Sequence, residues 1–342
     1  MLDRTIASFL GTRYTAAVVR VERGGSVAYE AATGAVDESP AATRVTVATR
    51  FDLASLTKLF VATAALETVR DGLLSLDVPL GDTVLPEWKD LANREITLRM
   101  LLAHTSGLQS GADYRTLFAE DVERYALLRP LVAAPGERVV YSDLGFIALG
   151  IALARARRRS LASVVERTAR DAGARATAYR PLGAARRAIP ATEEDAWRGR
   201  VRGFVHDEKA YLLGGVAGHA GLFGTAADVA ALGEAYLGVA RGRGVGPLPE
   251  RLAREALREQ ADDATLRRGL GWALKTRDDN SCGPSMSRAT FGHTGFTGTS
   301  LWVDPERDCS VTILTNAVSY GRTDLRDVRI AIAEAALAAL GE

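Results

Sequence analysis

Cysteine is nearly missing from this chain. Two residues in 342, Cys282 and Cys309, are too few for a disulfide framework and lack zinc-ribbon spacing. They read as free thiols of a reducing compartment. An excess of charge is missing too: 43 Lys+Arg face 42 Asp+Glu, a formal net charge of +1. Bulk electrostatics therefore draws the chain neither to nucleic acid nor to an anionic membrane. Arg155, Arg157, Arg158 and Arg159, and Arg186 with Arg187, form local basic patches. No aromatic residues interleave with them as base stacking requires, so no nucleic-acid partner is expected. No run of eighteen apolar residues exists, so no membrane-spanning helix is expected. The start of the chain has no secretory pattern, since Asp3 and Arg4 open it and Arg13 breaks the apolar run. The expected location of the sequence as written is the cytoplasm.

Several chemical signatures are also absent. Four glycines fall between Gly214 and Gly221, but neither a Walker pattern nor G-x-G-x-x-G occurs, which argues against a phosphate loop. His206, Asp207 and His219 lie nearby without metalloprotease spacing, so no metal is expected. No G-x-S-x-G elbow exists, which disfavours an α/β-hydrolase. There is no internal repeat or low-complexity tract.

What is present is an ordinary globular composition, long enough for one large domain or two smaller ones. Residues 2–10 read as a short helix, and residues 14–21 and 26–32 as strands turned by Gly24-Gly25. Helical periodicity dominates from 75 to 265, with helices after Thr97, after Tyr141, over 160–172, over 226–240 and from Pro249. Residues 174–208 read as polar and irregular. Strands return over 270–275, 299–303 and 309–315, and a helix over 324–340 closes the chain. The expected fold class is α/β (α+β): an antiparallel sheet flanked by helices. Residues 1–74 together with 266–342 would form the sheet domain, and 75–265 an inserted, mostly helical one.

Three stretches can carry chemistry. In Phe51-Asp52-Leu53-Ala54-Ser55-Leu56-Thr57-Lys58, an extended run becomes helical. Residues three apart share a helix face, so Ser55 and Lys58 stand side by side near the positive end of the helix dipole. A lysine amine in apolar surroundings can take a serine proton, because desolvation lowers its pKa. Tyr141-Ser142-Asp143 opens a later helix, and a phenol near an ammonium can move protons. His293-Thr294-Gly295-Phe296-Thr297-Gly298-Thr299 precedes a strand, where a substrate backbone can approach. Each stretch also has a plain structural reading, as a helix cap, a buried tyrosine or a glycine turn.

Taken together, the pieces resemble the class C β-lactamase-like serine hydrolases. That group includes class C β-lactamases, D,D-carboxypeptidases, D-aminopeptidases and family VIII esterases. The matching pieces are FDLASLTKLF, LLAHTSGL (101–108), YSDLGF (141–146), GGVAGHAGLFGTAADVAAL (214–232) and GHTGFTGTSLWVDPE (292–306), in the family's order. The resemblance implies a β-lactamase/penicillin-binding-protein-like fold with the active site between its two parts. It places Ser55 on the nucleophile, Lys58 on its base partner and Tyr141 on the tyrosine that shares proton transfer. The backbone N–H groups of Ser55 and Phe296 fall on the oxyanion hole. Asp143, His293, Thr294 and Gly295 fall on substrate-binding positions. His104 near Ser106 falls on a structural turn. Asp143 replaces the usual Asn and could raise the Lys58 pKa. His293 replaces a Lys that would hold a substrate carboxylate.

The implied activity is hydrolysis of an ester or amide, namely a small ester, a D-amino-acid peptide or a β-lactam-like compound. It proceeds through an acyl-enzyme with no cofactor, and strong β-lactamase activity is not expected. Either Lys58 or Tyr141 could be the formal base. A catalytically silent scaffold and a penicillin-binding sensor are the competing readings. The partner is a small-molecule or peptide substrate. The cleft lining is expected from loops 104–125, 174–215 and 276–298, and nothing in the sequence indicates an oligomeric state.

Overall fold

The computed structural model describes residues 1–111, 117, 121–243, 246–262 and 267–341. The chain opens with α1 (Leu2–Ser8) and the hairpin β1 (Ala16–Arg23) and β2 (Ser26–Gly34). β3 (Phe51–Asp52) runs through the 3-10 turn Ala54–Leu56 into α2 (Thr57–Arg70). Next come α3 (Leu98–Leu102), α4 (Val122–Leu128), α5 (Asp143–Arg157), α6 (Leu161–Asp171), β4 (Ala178–Tyr179) and α7 (Gly183–Arg187). The small hairpin β5 (Glu193–Asp195) and β6 (Gly199–Val201) precedes α8 (Glu208–Leu212) and β7 (Leu222–Gly224). α9 (Ala226–Ala240) and α10 (Glu250–Leu257) lead to β8 (Arg267–Arg268), β9 (Ala273–Leu274), β10 (Phe291–Thr294), β11 (Ser300–Asp304) and β12 (Cys309–Thr315). The last helix is α11 (Arg326–Ala339).

The main sheet has seven antiparallel strands in the order β2-β1-β12-β11-β10-β9-β8. β1 pairs with β12 from Ala17 opposite Thr315 to Arg23 opposite Cys309, so residues from both ends of the chain share one sheet. Alternation decides which core each β1 side chain enters. Ala17, Val19 and Val21 pack with Leu2 and Ile6 of α1 and with Val328 and Ile332 of α11. Ala16 and Val18 enter the larger core, built on α2, α5 and α9. Helices on both faces explain why β1 reads as a nearly continuous apolar run. α9 lies against β1, β11 and β12.

A second, three-stranded sheet, β3-β7-β4, locks the approach to Ser55. It also corrects the reading of 174–208 as irregular, since β4, α7, β5 and β6 are regular structure there. Strands of two or three residues are too short for alternation to show. The strand expected over 270–275 shrinks to Ala273–Leu274. Upstream of it, the N–H of Leu270 donates to Ala256 O and that of Gly271 to Leu102 O, so both leave the ladder. Cys282 and Cys309 are buried and not joined by a disulfide. No helix among the described residues is long and apolar enough to cross a membrane.

Candidate active site

The turn carrying Ser55 is built by Asp52. Its buried carboxylate accepts the N–H of Ala54 at 2.8 Å and that of His206 at 2.6 Å. Burial raises this carboxyl to about 6, against the pull of the two N–H donors. Ala54 takes the left-handed conformation at φ +48°, a region that costs energy for any residue but glycine and recurs where a functional group must be presented. Ser55 then stands in the 3-10 turn, and Lys58 follows in the first turn of α2.

The Lys58 side chain is 0% exposed. Its Nζ donates to Ser55 Oγ at 3.0 Å, Asp143 Oδ1 at 2.8 Å and the His219 carbonyl at 3.2 Å. An ammonium has three N–H donors, and here each has an acceptor. Burial works to discharge Lys58, but the Asp143 carboxylate, with Tyr141 beside it, outweighs that and raises its pKa above the ordinary lysine value. A lysine lowered by desolvation is therefore not what this site contains; the effect anticipated for Asp143 wins. The Tyr141 hydroxyl donates to the same Ser55 Oγ at 3.1 Å. Its ring has Lys58 Nζ at 4.9 Å, the Arg268 guanidinium at 5.6 Å and the His104 ring at 4.5 Å. His104 Nδ1 accepts the N–H of Ser142, which fits the structural turn expected there.

Asp143 is the first residue of α5, which Ser142 caps through the N–H of Gly145. Its second oxygen, Oδ2, meets Lys209 Nζ at 3.3 Å. Lys209 also meets Asp207 Oδ2 at 3.3 Å, and Asp207 Oδ1 accepts the His219 Nε2–H at 2.7 Å. Burial pushes the Asp143 carboxyl up, but Lys58, His219 and Lys209 together bring it down to about 2. Ligand atoms of Asp143, Asp207 and His219 lie within 4.8 Å of one another, a spacing a metal could use. Two ammonium groups already satisfy those carboxylates, so the donor set does not fit a metal ion. Of the residues first weighed as ligands, His206 stands apart, stacked on Phe296 at 5.6 Å.

The glycine-rich stretch turns out to be packing. A side chain at Gly218 would collide with Phe146 O of α5, so only glycine brings His219 this close to Asp143. β7 then pairs with β3, and the N–H of Leu53 donates to Leu222 O at 3.0 Å.

The opposite wall is the turn after β10. Thr297 and Thr299 donate to the carbonyls of Asp52 and Leu53, at 2.9 and 3.1 Å, fastening residues 294–299 to the segment before Ser55. Arg329 of α11 donates to Gly295 O at 2.7 Å. The His293 Nδ1–H donates to Thr294 O at 2.8 Å, leaving Nε2 buried without a partner among the described residues. Burial, and then Lys58, lower His293 to about 3, so its imidazole is neutral.

A cleft of about 480 Å³ opens over Ser55, Tyr141, Asp143, Lys209, Thr294, Gly295 and Phe296. His293 is not in its lining; it is buried behind, with its ring 6.2 Å from that of Tyr141. Residues 206–209 and 294–296 supply lining from two of the expected loops. Positions 112–116 and 118–120 of the third lie outside the described residues. The sequence reading missed Lys209 and Arg329. Arg329 had a signal: it interrupts the apolar stripe Leu325, Val328, Ile332, Ala336 of α11.

A seven-stranded antiparallel sheet between helices, with serine, lysine and tyrosine meeting in a cleft, is the architecture of the serine β-lactamase and penicillin-binding-protein class. The chain belongs to the Beta-lactamase family, whose profile matches residues 2–336. An Escherichia coli K12 protein provisionally named D-alanyl-D-alanine carboxypeptidase is 29% identical, over 92% of this chain and 81% of that one. A Salmonella enteritidis PT4 protein with the same provisional name is 31% identical, over 80% of this chain and 70% of that one. Among solved structures, the class C β-lactamase of Rhodobacter sphaeroides has a TM-score of 0.79 at 19% identity, covering 100% and 99% of the two chains. EstCE1, a hydrolase with promiscuous acyltransferase activity, has a TM-score of 0.75 at 22% identity, covering 97% and 98%.

Proposed function

We propose that this protein is a serine hydrolase that cleaves an ester or amide through a Ser55 acyl-enzyme. The observation that carries the reading is the convergence of Lys58 Nζ at 3.0 Å and Tyr141 OH at 3.1 Å on one serine oxygen in an open cleft. Ser55 Oγ bonds to the substrate carbonyl carbon, and its proton passes to the Lys58/Tyr141 pair. The resting Lys58 has every N–H committed and no lone pair. The pair therefore accepts the Ser55 proton only after releasing one of its own to solvent. The backbone N–H groups of Ser55 and Phe296 hold the oxyanion. Collapse breaks the bond to the leaving group, which takes its proton from Tyr141. Water, activated by the same pair, then breaks the acyl–Oγ bond and restores the Ser55 hydroxyl.

The substrate class is a small ester, a D-amino-acid peptide or a β-lactam-like amide. The provisional carboxypeptidase names of the relatives support the peptide, and the fold shared with EstCE1 accommodates the ester. A neutral His293 and an anionic Asp143 argue against rapid β-lactam turnover. The cleft lies between a sheet domain, 1–74 with 266–342, and a helical domain, 75–265. The committed Lys58 ammonium also supports a second reading, a penicillin-binding sensor that acylates and deacylates slowly.

Intact masses of wild type and Ser55→Ala after fluorophosphonate, penicillin and p-nitrophenyl ester, with p-nitrophenol release, test the assignment. An adduct on wild type alone with ester turnover is the expected result. A lasting penicillin adduct without turnover would favour the sensor. Equal labelling of both proteins, or no labelling and no turnover, would overturn the catalytic reading.

A further inference from the structure

Lys58, Lys89, Lys209 and Lys275 are the only lysines; the other 39 of the 43 basic residues are arginine. Two of the four lysines meet on one carboxylate. Asp143 gives Oδ1 to Lys58 at 2.8 Å and Oδ2 to Lys209 at 3.3 Å. Lys209 continues to Asp207, Asp207 to His219, and the His219 carbonyl returns to Lys58 at 3.2 Å. The contacts form a closed ring. Its two ammonium groups and two carboxylates balance, as burial of charge requires. A chain that uses arginine almost everywhere has kept lysine here. A compact ammonium with rotatable donors can join carboxylates from two different elements, whereas a planar fork is built to grip one.

Resting on the hydrolase reading above, we propose that Lys209 is a positioning residue for the Ser55–Lys58 pair: by occupying the second oxygen of Asp143 it confines Lys58 to the first and keeps the Lys58 ammonium directed at Ser55. A carboxylate standing alone beside Lys58 would draw the ammonium onto both of its oxygens and away from Ser55 Oγ. Lys209 is itself held, because Asp207 caps α8 through the N–H of Ala210 at 2.8 Å and is tied to His219. The Asp143 backbone is fixed as well, since its N–H donates to Ser110 Oγ at 3.0 Å. The ring thus lets a carboxylate stand beside Lys58 without capturing it.

The other titratable and charged groups facing Lys58 are Tyr141, His104 at the end of α3, Arg268 of β8, His219 before β7 and His293 of β10. All of them stay in place in the variants below. Removing the Lys209 charge leaves Asp143 wholly to Lys58, which then holds its proton more tightly. Neutralising Asp207 does the reverse, because Lys209 then gives its whole charge to Asp143.

The test is the second-order rate of Ser55 labelling by a fluorophosphonate over pH 6–10, in wild type, Lys209→Met, Lys209→Arg and Asp207→Asn. Thermal unfolding checks each fold. Lys209→Met should be slower by about 10- to 100-fold, the scale of a small misplacement of a reacting group. Lys209→Arg should recover most of the rate, and Asp207→Asn should be faster than wild type. A merely structural role would slow both neutralised variants together. In parallel, ε-13C NMR of the four lysines follows the Lys58 titration midpoint, which should rise in Lys209→Met and fall in Asp207→Asn by up to about one unit. Equal slowing of both variants with an unmoved Lys58 signal would overturn the proposal and leave the hydrolase reading intact. Opposed Lys58 shifts in the two variants, together with a wild type that never labels at Ser55, would overturn the hydrolase reading and leave the control of Lys58 by Lys209 standing.

Discussion

The two walls of the cleft bury charge in opposite ways. On the wall of α5 and α8, Lys58, Lys209, Asp143 and Asp207 meet as reciprocal pairs. Burial there is overruled, so Lys58 is raised and Asp143 lowered. On the wall of β10 and α11 the carboxylates that act on these groups, Asp143 on His293 and Asp324 on Arg329, are outweighed, and burial wins. His293 falls to about 3, and Arg329, held by backbone carbonyls, falls to about 10. Desolvation is similar on both sides; the partner decides its outcome. One wall holds its charges as pairs, whereas the other keeps a neutral imidazole behind the cleft and an arginine bound to backbone carbonyls.

The largest effect should come from removing the cation of the charged wall. Lys58→Met is expected to lower kcat/KM for an activated ester by about 10³-fold, within the range of acid–base catalysis. A loss under tenfold would remove Lys58 from the reaction.

Asp143→Asn, which restores the residue usual in this family, should blur the contrast between the walls. The carboxylate that raises Lys58 is gone while burial, which lowers it, remains. The rising limb of kcat/KM against pH should therefore move to lower pH by at least about one unit. An unmoved limb would show that Asp143 does not govern the titrating pair.

His293→Lys sharpens the test from the other side by replacing the buried imidazole behind the cleft with a longer chain whose ammonium can extend towards it. KM for substrates bearing a carboxylate near the scissile bond should fall by roughly tenfold, worth about 1.4 kcal/mol, while neutral esters change little. A uniform change across both classes would contradict it.

The last effect concerns stability rather than turnover. Native His293 refuses, down to about pH 3, a proton that the unfolded chain accepts near pH 6.5. Its contribution to stability is therefore full above pH 6.5 and is lost as pH falls towards 3. Between pH 7.5 and 5, wild type should lose roughly 2 kcal/mol more than His293→Gln in urea unfolding. Asp52, raised to about 6, acts in the opposite sense, but equally in both proteins, and cancels. Parallel stability curves would show that His293 protonates freely in the native state.

Much of this was legible in the residues. Ser55 and Lys58 declare themselves by spacing, because the period of a helix is local. β1, β11 and β12 show as apolar runs at the two ends, and Thr97 caps α3 as its type suggests. The sign of the Lys58 shift was not legible. It depends on Asp143, 85 residues away in sequence, outweighing a burial that sequence spacing cannot measure. Lys209 follows a stretch that reads only as polar and irregular, and the few lysines mean nothing until two of them meet. β5 and β6 were too short to register as a pattern.

The sequence alone determined the helices and strands with a clear period, the alternation that divides β1 between two cores, and the residue types able to act as nucleophile and proton carriers. These follow from local geometry and side-chain chemistry. Only the tertiary structure decided that Lys58 is held as an ammonium, that the glycine at 218 brings His219 to α5, and that five residues from α2, α5, the start of α8 and the loop before β7 close into one ring. Such outcomes depend on distance and burial. Both are set by contacts between segments far apart in the chain, where a charge is worth whatever its neighbours make it.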